Sequence, residues 1–229
     1  MKPEAAPVTP SAATASAVPA AQLPLRERKK LRTRQALVDT ALRLFGERGF
    51  ERVTLDELCD AVEVSKRTFF RTFTSKEDVA MAPTQDLWAA FLDVLSTGPI
   101  ADGRPLIGVY EDALVAALDR MPADGWAERA LASRRLAART PSMDAHGLAF
   151  CDRTTRAAVG VVGERFALAD ADDLRAHLAL DMLVAAFHRA LDGWVAQPAG
   201  HTGADLARRL RETCAALPGA LAATAAPRV

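Results

Sequence analysis

The chain has 229 residues, half of them hydrophobic and 6% aromatic, with 29 Lys and Arg balanced by 29 Asp and Glu. That is enough apolar material for one or two domains with a sizeable core, and the excess of Ala, Leu and Arg over β-branched and aromatic residues favours an all-α fold. Three scattered cysteines (Cys59, Cys151, Cys214) with no CxxC pair argue against a disulfide framework or a zinc site; no apolar run is long enough to span a bilayer, and the Pro- and Glu-bearing start lacks a signal peptide's apolar core, so a cytoplasmic protein is expected.

Residues 1–24 are rich in Ala, Pro, Ser and Thr without a periodic apolar face, and a disordered tail is predicted. Leu37, Ala41, Leu44 and Phe45 then recur at helical spacing, predicting a helix from about Arg26 to Arg48, stopped by Gly49. Its start is dense in charge: Arg26, Arg28, Lys29, Lys30, Arg32 and Arg34 against Glu27. Cations there oppose the helix macrodipole, a cost that an anionic partner such as a phosphate backbone offsets. From Leu25 to Ala80 the chain carries 13 basic and 10 acidic residues, and after Ala80 it carries 15 and 18, a shift from +3 to −3. A local basic surface on a neutral protein suits a small DNA footprint.

Thr54 to Phe73, TLDELCDAVEVSKRTFFRTF, reads as two short helices joined by a tight turn. Thr54 is placed to N-cap the first, with Glu57 completing a capping box, and Ser65 to N-cap the second. Phe69 and Phe73, four residues apart, face inward. That leaves Lys66, Arg67, Thr68, Phe70, Arg71 and Thr72 on the outer side, the pattern of a helix-turn-helix recognition helix. Ser75, with Glu77 and Asp78 behind it, opens another helix towards Leu95, bent at Pro83, and its first amides with Lys76 suggest a phosphate contact.

Beyond the breakers Gly98, Pro99, Gly103 and Pro105, five amphipathic helices are predicted at about 105–120, 124–138, 142–167, 170–196 and 203–217. Each must bury its stripe on the others, which makes a bundle. Trp88, Phe91, Tyr110, Trp126, Met143, His146, Phe150, Phe187 and His188 are the candidates for a largely apolar ligand pocket. His177, Asp181 and His188 share one helix face, which suits an effector contact, a dimer interface or the bundle interior; Arg153 and Arg156 suit an anionic effector or a solvated face. No metal site or cofactor is expected. No nucleophile elbow, P-loop, HExxH or dinucleotide fingerprint is present, so the sequence does not point to an enzyme.

Positions 34–78, through ALRLFGERGFERVTLDELCDAVEVSKRTFFRTFTSKED, resemble the DNA-binding domain of tetracycline-repressor (TetR) family regulators. The resemblance rests on the LF-x-E-x-GF helix end, the Thr opening the second helix, the VS-x-x-TFF-x-x-F helix and the KE start of the next. It implies an N-terminal three-helix domain over residues 25–80 and a helical ligand-binding and dimerisation domain over 81–220, with a tail at 221–229. It also implies a repressor released from a pseudo-palindromic operator by a small-molecule effector, and a homodimer formed through the last two helices. Carried onto this chain, Thr54, Ser65 and Lys76, with Thr72, are implied to contact phosphates. Lys66, Arg67, Thr68, Phe70 and Arg71 are implied to lie near base edges, with Arg67 the best placed to take guanine O6 and N7 together. The chain departs from the family in two places: Glu63 stands where Gly is usual in the turn, and Phe70 where Tyr is frequent. The alternatives are an activator, or a helical small-molecule-binding protein or enzyme that does not bind DNA.

Overall fold

The computed structural model describes residues 24–99, 103–168 and 173–225. The described residues are helical, with no strand among them: α1 Leu25–Arg48, α2 Leu55–Ala61, α3 Lys66–Phe70, α4 Lys76–Thr97, α5 Leu106–Asp119, α6 Trp126–Ala137, α7 Pro141–Arg165, α8 Leu174–Ala196 and α9 Gly203–Ala222. The tail predicted over residues 1–24 lies outside the described residues except for Pro24.

Two apolar cores are strung along one shared helix. In the first, α1 buries Leu37, Ala41, Leu44 and Phe45 against Leu58, Phe69 and Phe73. The start of α4 joins it through Val79, Ala80 and Ala82, and so do Leu136 and Met143 from later in the chain. In the second, Leu87, Trp88 and Phe91 of the same α4 pack with Tyr110, Leu114, Trp126, Val162, Leu183, Phe187, Trp194 and Leu210. Continuity of α4 through both cores makes it the mechanical link between them. Its internal Pro83 contributes no N–H, and the Pro83 carbonyl accepts the Trp126 indole N–H at 3.1 Å.

Side chains reinforce that link. Arg34 of α1 holds Asp86 of α4 by two parallel bonds of 2.9 and 2.7 Å, and its guanidinium lies 5.3 Å from the centre of the Phe73 ring. Arg129 of α6 reaches Asp39 of α1 at 3.6 Å. Arg165, near the end of α7, donates to the Leu95 and Gly98 carbonyls at the end of α4. α8 and α9 pack as a hairpin whose turn is pinned by the Trp194 indole N–H on the Thr202 carbonyl, at 3.0 Å.

Two expectations shift at helix ends. The second helix of the helix-turn-helix was expected to reach Phe73, yet α3 closes at Phe70, and a tighter turn carries the chain on with Thr72 N–H and Phe73 N–H both donating to the Phe69 carbonyl at 2.8 Å. α9 runs through Pro218 to Ala222, two residues past the expected boundary at 220, with its last turn exposed. A proline just before the last turn removes one hydrogen bond where few remain to lose.

Candidate nucleic-acid interface and effector pocket

The helix-turn-helix is assembled by local chemistry. Thr54 N–H and its hydroxyl both donate to Glu57 Oε2, at 2.7 and 2.9 Å, and Glu57 N–H returns a bond to Thr54 Oγ1 at 3.2 Å. The backbone and hydroxyl bonds from Thr54 hold the Glu57 carboxyl below its ordinary range. Ser65 caps α3 by accepting from Thr68 N–H at 3.2 Å. Between the two helices Glu63 adopts φ +55°, with its N–H on the Asp60 carbonyl and the next N–H on that of Cys59. Left-handed backbone is strained for a residue with a Cβ, by about 1–2 kcal/mol. Glu63→Gly removes that strain, partly offset by the greater freedom of glycine in the unfolded chain. The expected outcome is a gain of about 0.5–1 kcal/mol, read as a rise of a few degrees in the thermal midpoint; a variant that melts lower would show that the Glu63 side chain contributes something the backbone does not reveal.

On the outer face, the structure sorts the candidate DNA-contacting side chains by how free they are. Arg67, Phe70 and Arg71 are exposed, Phe70 at 55%, and they line one face of the recognition element at spacings of three and four. Among the described residues neither arginine has an acidic partner. Beneath them the buried Phe69 ring meets Phe70 edge-on at 5.4 Å and Phe73 at 5.8 Å, which fixes how the face is presented. Lys66 is paired with Asp56 of α2 at 2.8 Å, and that hydrogen bond and charge raise its pKa and keep it protonated. The pair is exposed, so exchanging Asp56 for a phosphate oxygen costs little. Ser65 Oγ and Thr68 Oγ1 share a hydrogen bond of 3.1 Å, leaving the pair a single hydroxyl proton to offer outward.

Three implied phosphate contacts have other occupations. Lys76 Nζ donates to the Phe50 carbonyl at 2.8 Å and to that of Val53 at 2.7 Å, and it sits 4.6 Å from the centre of the Phe50 ring. Its charge therefore closes the end of α1 and the α1–α2 turn from within. The Thr72 hydroxyl donates to the Thr68 carbonyl at 3.2 Å, and the Thr54 hydroxyl is engaged by Glu57.

The bundle encloses a cavity of about 330 Å³ between α4, α6, α7 and α8. Trp88, Phe91, Met143, Phe150, Phe187 and His188, all singled out in the sequence, line it. Trp88 meets Phe91 and Phe187 edge-to-face at 5.2 and 5.4 Å, an aromatic wall along the cavity. Three expected members stand elsewhere. Tyr110 and Trp126 belong to the core, their polar atoms aimed at the Ala176 and Pro83 carbonyls. His146, on α7, lies against the first half of α4, with its Nε2 3.4 Å from Gln85 Nε2 and 3.8 Å from Asp78 Oδ1. The same Asp78 accepts from Thr74 N–H at 2.7 Å. Burial alone would raise the Asp78 carboxyl; the bonds from Thr74 and Gln85 outweigh it and lower the pKa.

The remaining lining was not foreseen, because small and hydroxyl-bearing residues carry no periodic signal. Thr84, Ser133, Thr154 and Thr155 supply neutral polar points, and Arg134 supplies charge beside His188. Arg134 bonds Asp192 at 3.2 Å. Burial first, then the charge of Arg134, lowers the His188 pKa and favours the neutral ring. Arg153 and Arg156 do not line the cavity; Arg156 pairs with Asp152 one turn away. Of the His177–Asp181–His188 face only His188 lines the cavity, at its solvent-exposed side; Asp181 is exposed and His177 half-buried, both away from it. No group of three or more His, Cys, Asp or Glu among the described residues is placed to hold a metal ion.

The architecture defines a class: a helix-turn-helix domain carried on a helical bundle with an internal apolar cavity. Residues 37–82 match the family model for bacterial regulatory proteins of the tetR family. The HTH-type transcriptional regulator TcmR of Streptomyces glaucescens is 40% identical over 124 residues, 52% of this chain and 54% of that one. The biofilm operon icaADBC HTH-type negative transcriptional regulator IcaR of Staphylococcus epidermidis is 26% identical over 75 residues, covering 33% of this chain and 40% of its own length. The matches thus span about half or less of the length of these curated relatives. Among solved structures, a Pseudomonas aeruginosa PAO1 protein aligns with a TM-score of 0.51 at 17% identity, over 88% of this chain and 95% of its own. The fatty acid degradation regulator FadR of Bacillus halodurans aligns at 0.50 and 16% identity, over 82% and 96%. Such likeness is one of fold.

Proposed function

We propose that the protein is a sequence-specific DNA-binding transcriptional regulator, a repressor that a small molecule releases from its operator. The observation that carries this reading is the exposed Arg67–Phe70–Arg71 face on a capped recognition element whose underside is locked by Phe69 and Phe73. A planar guanidinium there matches guanine O6 and N7, and the Phe70 ring matches a thymine methyl. A relative named as a transcriptional regulator supports the class, and one named as a negative transcriptional regulator supports the sign of control. Among the described residues no helix is long and apolar enough to cross a membrane, which agrees with action on DNA in the cytoplasm.

The effector this cavity suits is a predominantly apolar molecule with ring surface and a few oxygen functions, seated on the aromatic wall and reached by Thr84, Ser133 and Thr155. Its route to the DNA is short. Met143 both lines the cavity and packs in the N-terminal core, and α4, which starts in that core through Val79, Ala80 and Ala82, goes on to line the cavity through Thr84 and Trp88. A ligand that displaces these side chains favours a different setting of α4 and, through Arg34 and Lys76, of the recognition element. The coupling needed is about 1–3 kcal/mol.

A homodimer supplies the second recognition helix for a pseudo-palindromic site. The exposed face of α8 suits that contact: Leu174 and Leu178, 66% and 51% exposed, continue into Asp181 and Ala185 at spacings of four and three. The test is selection of bound genomic fragments followed by anisotropy titration. The expected result is one pseudo-palindromic site bound at least a thousandfold more tightly than random duplex, with binding weakened by a ligand that also raises the thermal midpoint. Equal affinity for random DNA at about 150 mM salt would leave a helical small-molecule binder as the better reading.

A further inference from the structure

The first two turns of α1 lie apart from both sites. Residues 26–32 hold five cations against one acid, Glu27. Arg26, Lys29, Lys30 and Arg32 are exposed, and the ion pairs of α1 among the described residues begin only at Arg34. Arg28 Nε is buried without a hydrogen-bond partner among those residues. Leu25 and Leu31 are 57% and 48% exposed, so this helical segment rests on little apolar surface.

By itself such a segment is poorly placed. Pro24 gives its start no side-chain cap, and the open amides and the cations add positive charge at the same end of the macrodipole. A polyanion alongside reverses the sign of every one of these terms. The position selects which polyanion: Arg34 touches the Phe73 ring of the recognition element, and Arg26 lies eight residues earlier, about 12 Å along the helix axis. At about 100° per residue Arg26, Lys29, Lys30 and Arg32 fall within about 160° of the helix circumference, one broad basic side, and no aromatic accompanies them. That arrangement suits phosphates and does not suit base edges.

We propose that these two turns form a second, sequence-independent DNA contact, in which Arg26, Lys29, Lys30 and Arg32 neutralise backbone phosphates beside the groove that α3 reads. It rests on the regulator reading and extends its footprint. The test uses the full chain carrying Arg26→Gln, Lys29→Gln, Lys30→Gln and Arg32→Gln together, titrated on the selected operator and on random duplex of equal length across a salt series. Each phosphate released contributes about 0.9 to the slope of log affinity against log salt, so a fall of about two to four in that slope is expected. Affinity for both duplexes should drop together by at least about tenfold, leaving their ratio unchanged. The variant Arg26→Lys with Arg32→Lys should keep the wild-type slope, which separates charge from folding. A slope unchanged in the quadruple variant overturns the proposal while operator binding stands. A loss confined to the operator overturns it too, because it would mean base reading. A wild-type chain with no preference for any selected site removes the regulator reading and this contact with it.

Discussion

Arg67→Ala is expected to weaken operator binding by about 10- to 100-fold at moderate salt while changing affinity for random DNA far less. A bidentate guanidinium–guanine contact is worth about 1–3 kcal/mol of discrimination against the wrong base. Arg67 is the free cation nearest the capped start of α3, exposed and without an acidic partner among the described residues, so its removal disturbs no internal contact. The fold should be untouched, since the Arg67 side chain is exposed and stands outside the core that Phe69 closes. Competition titrations on the operator and on variants changed one base pair at a time check the point: loss of preference should appear at one symmetric pair of positions. If all sequences weaken equally, Arg67 is a phosphate contact and the base reading passes to Arg71 or Lys66.

Phe69→Ala is expected to cost about 3–5 kcal/mol, the range for deleting a buried phenyl ring. That is a large part of the 5–15 kcal/mol by which domains of this kind are stable. Phe69 has no exposed surface, and it is the ring on which Phe70 and Phe73 both rest. The damage should stay in the N-terminal core, because the bundle core is a separate cluster joined to it through α4. Urea denaturation followed by circular dichroism should therefore show an early loss of a minor part of the helix signal, with a later transition close to that of the wild type. Operator binding should be lost in the early step, while a ligand seated against Trp88 and Phe187 should still bind. A single transition shifted as a whole would instead mean that α4 makes the two cores one cooperative unit.

Much of the helix-turn-helix was legible before any coordinates. Caps, turns and apolar spacing are local features, so Thr54 with Glu57, Ser65 with Thr68, and Ser75 with Asp78 form as their positions in the chain dictate. The turn at Glu63 was marked by the resemblance, which puts Gly there, and the backbone at φ +55° shows why Gly is suited to it. Pocket residues were legible only in part. Aromatic spacing marks a buried face, but it does not distinguish Trp88 and Phe187, which wall a cavity, from Tyr110 and Trp126, which fill a core.

The sequence by itself determined that this chain is all-helical, where its caps and breaks fall, and which side of the recognition element carries charge. Those outcomes depend on neighbours a few residues apart, and the energies involved are settled within a turn or two of helix. Only the tertiary structure decided that Lys76 works inward on the Phe50 and Val53 carbonyls, that Arg34 clasps Asp86 across two cores, and that Met143 belongs at once to the cavity wall and the DNA-binding core. Each of these joins residues far apart in the chain. A lysine, an arginine or a methionine carries in its own neighbourhood no record of which distant carbonyl, carboxylate or ring the folding of α4 will bring to it.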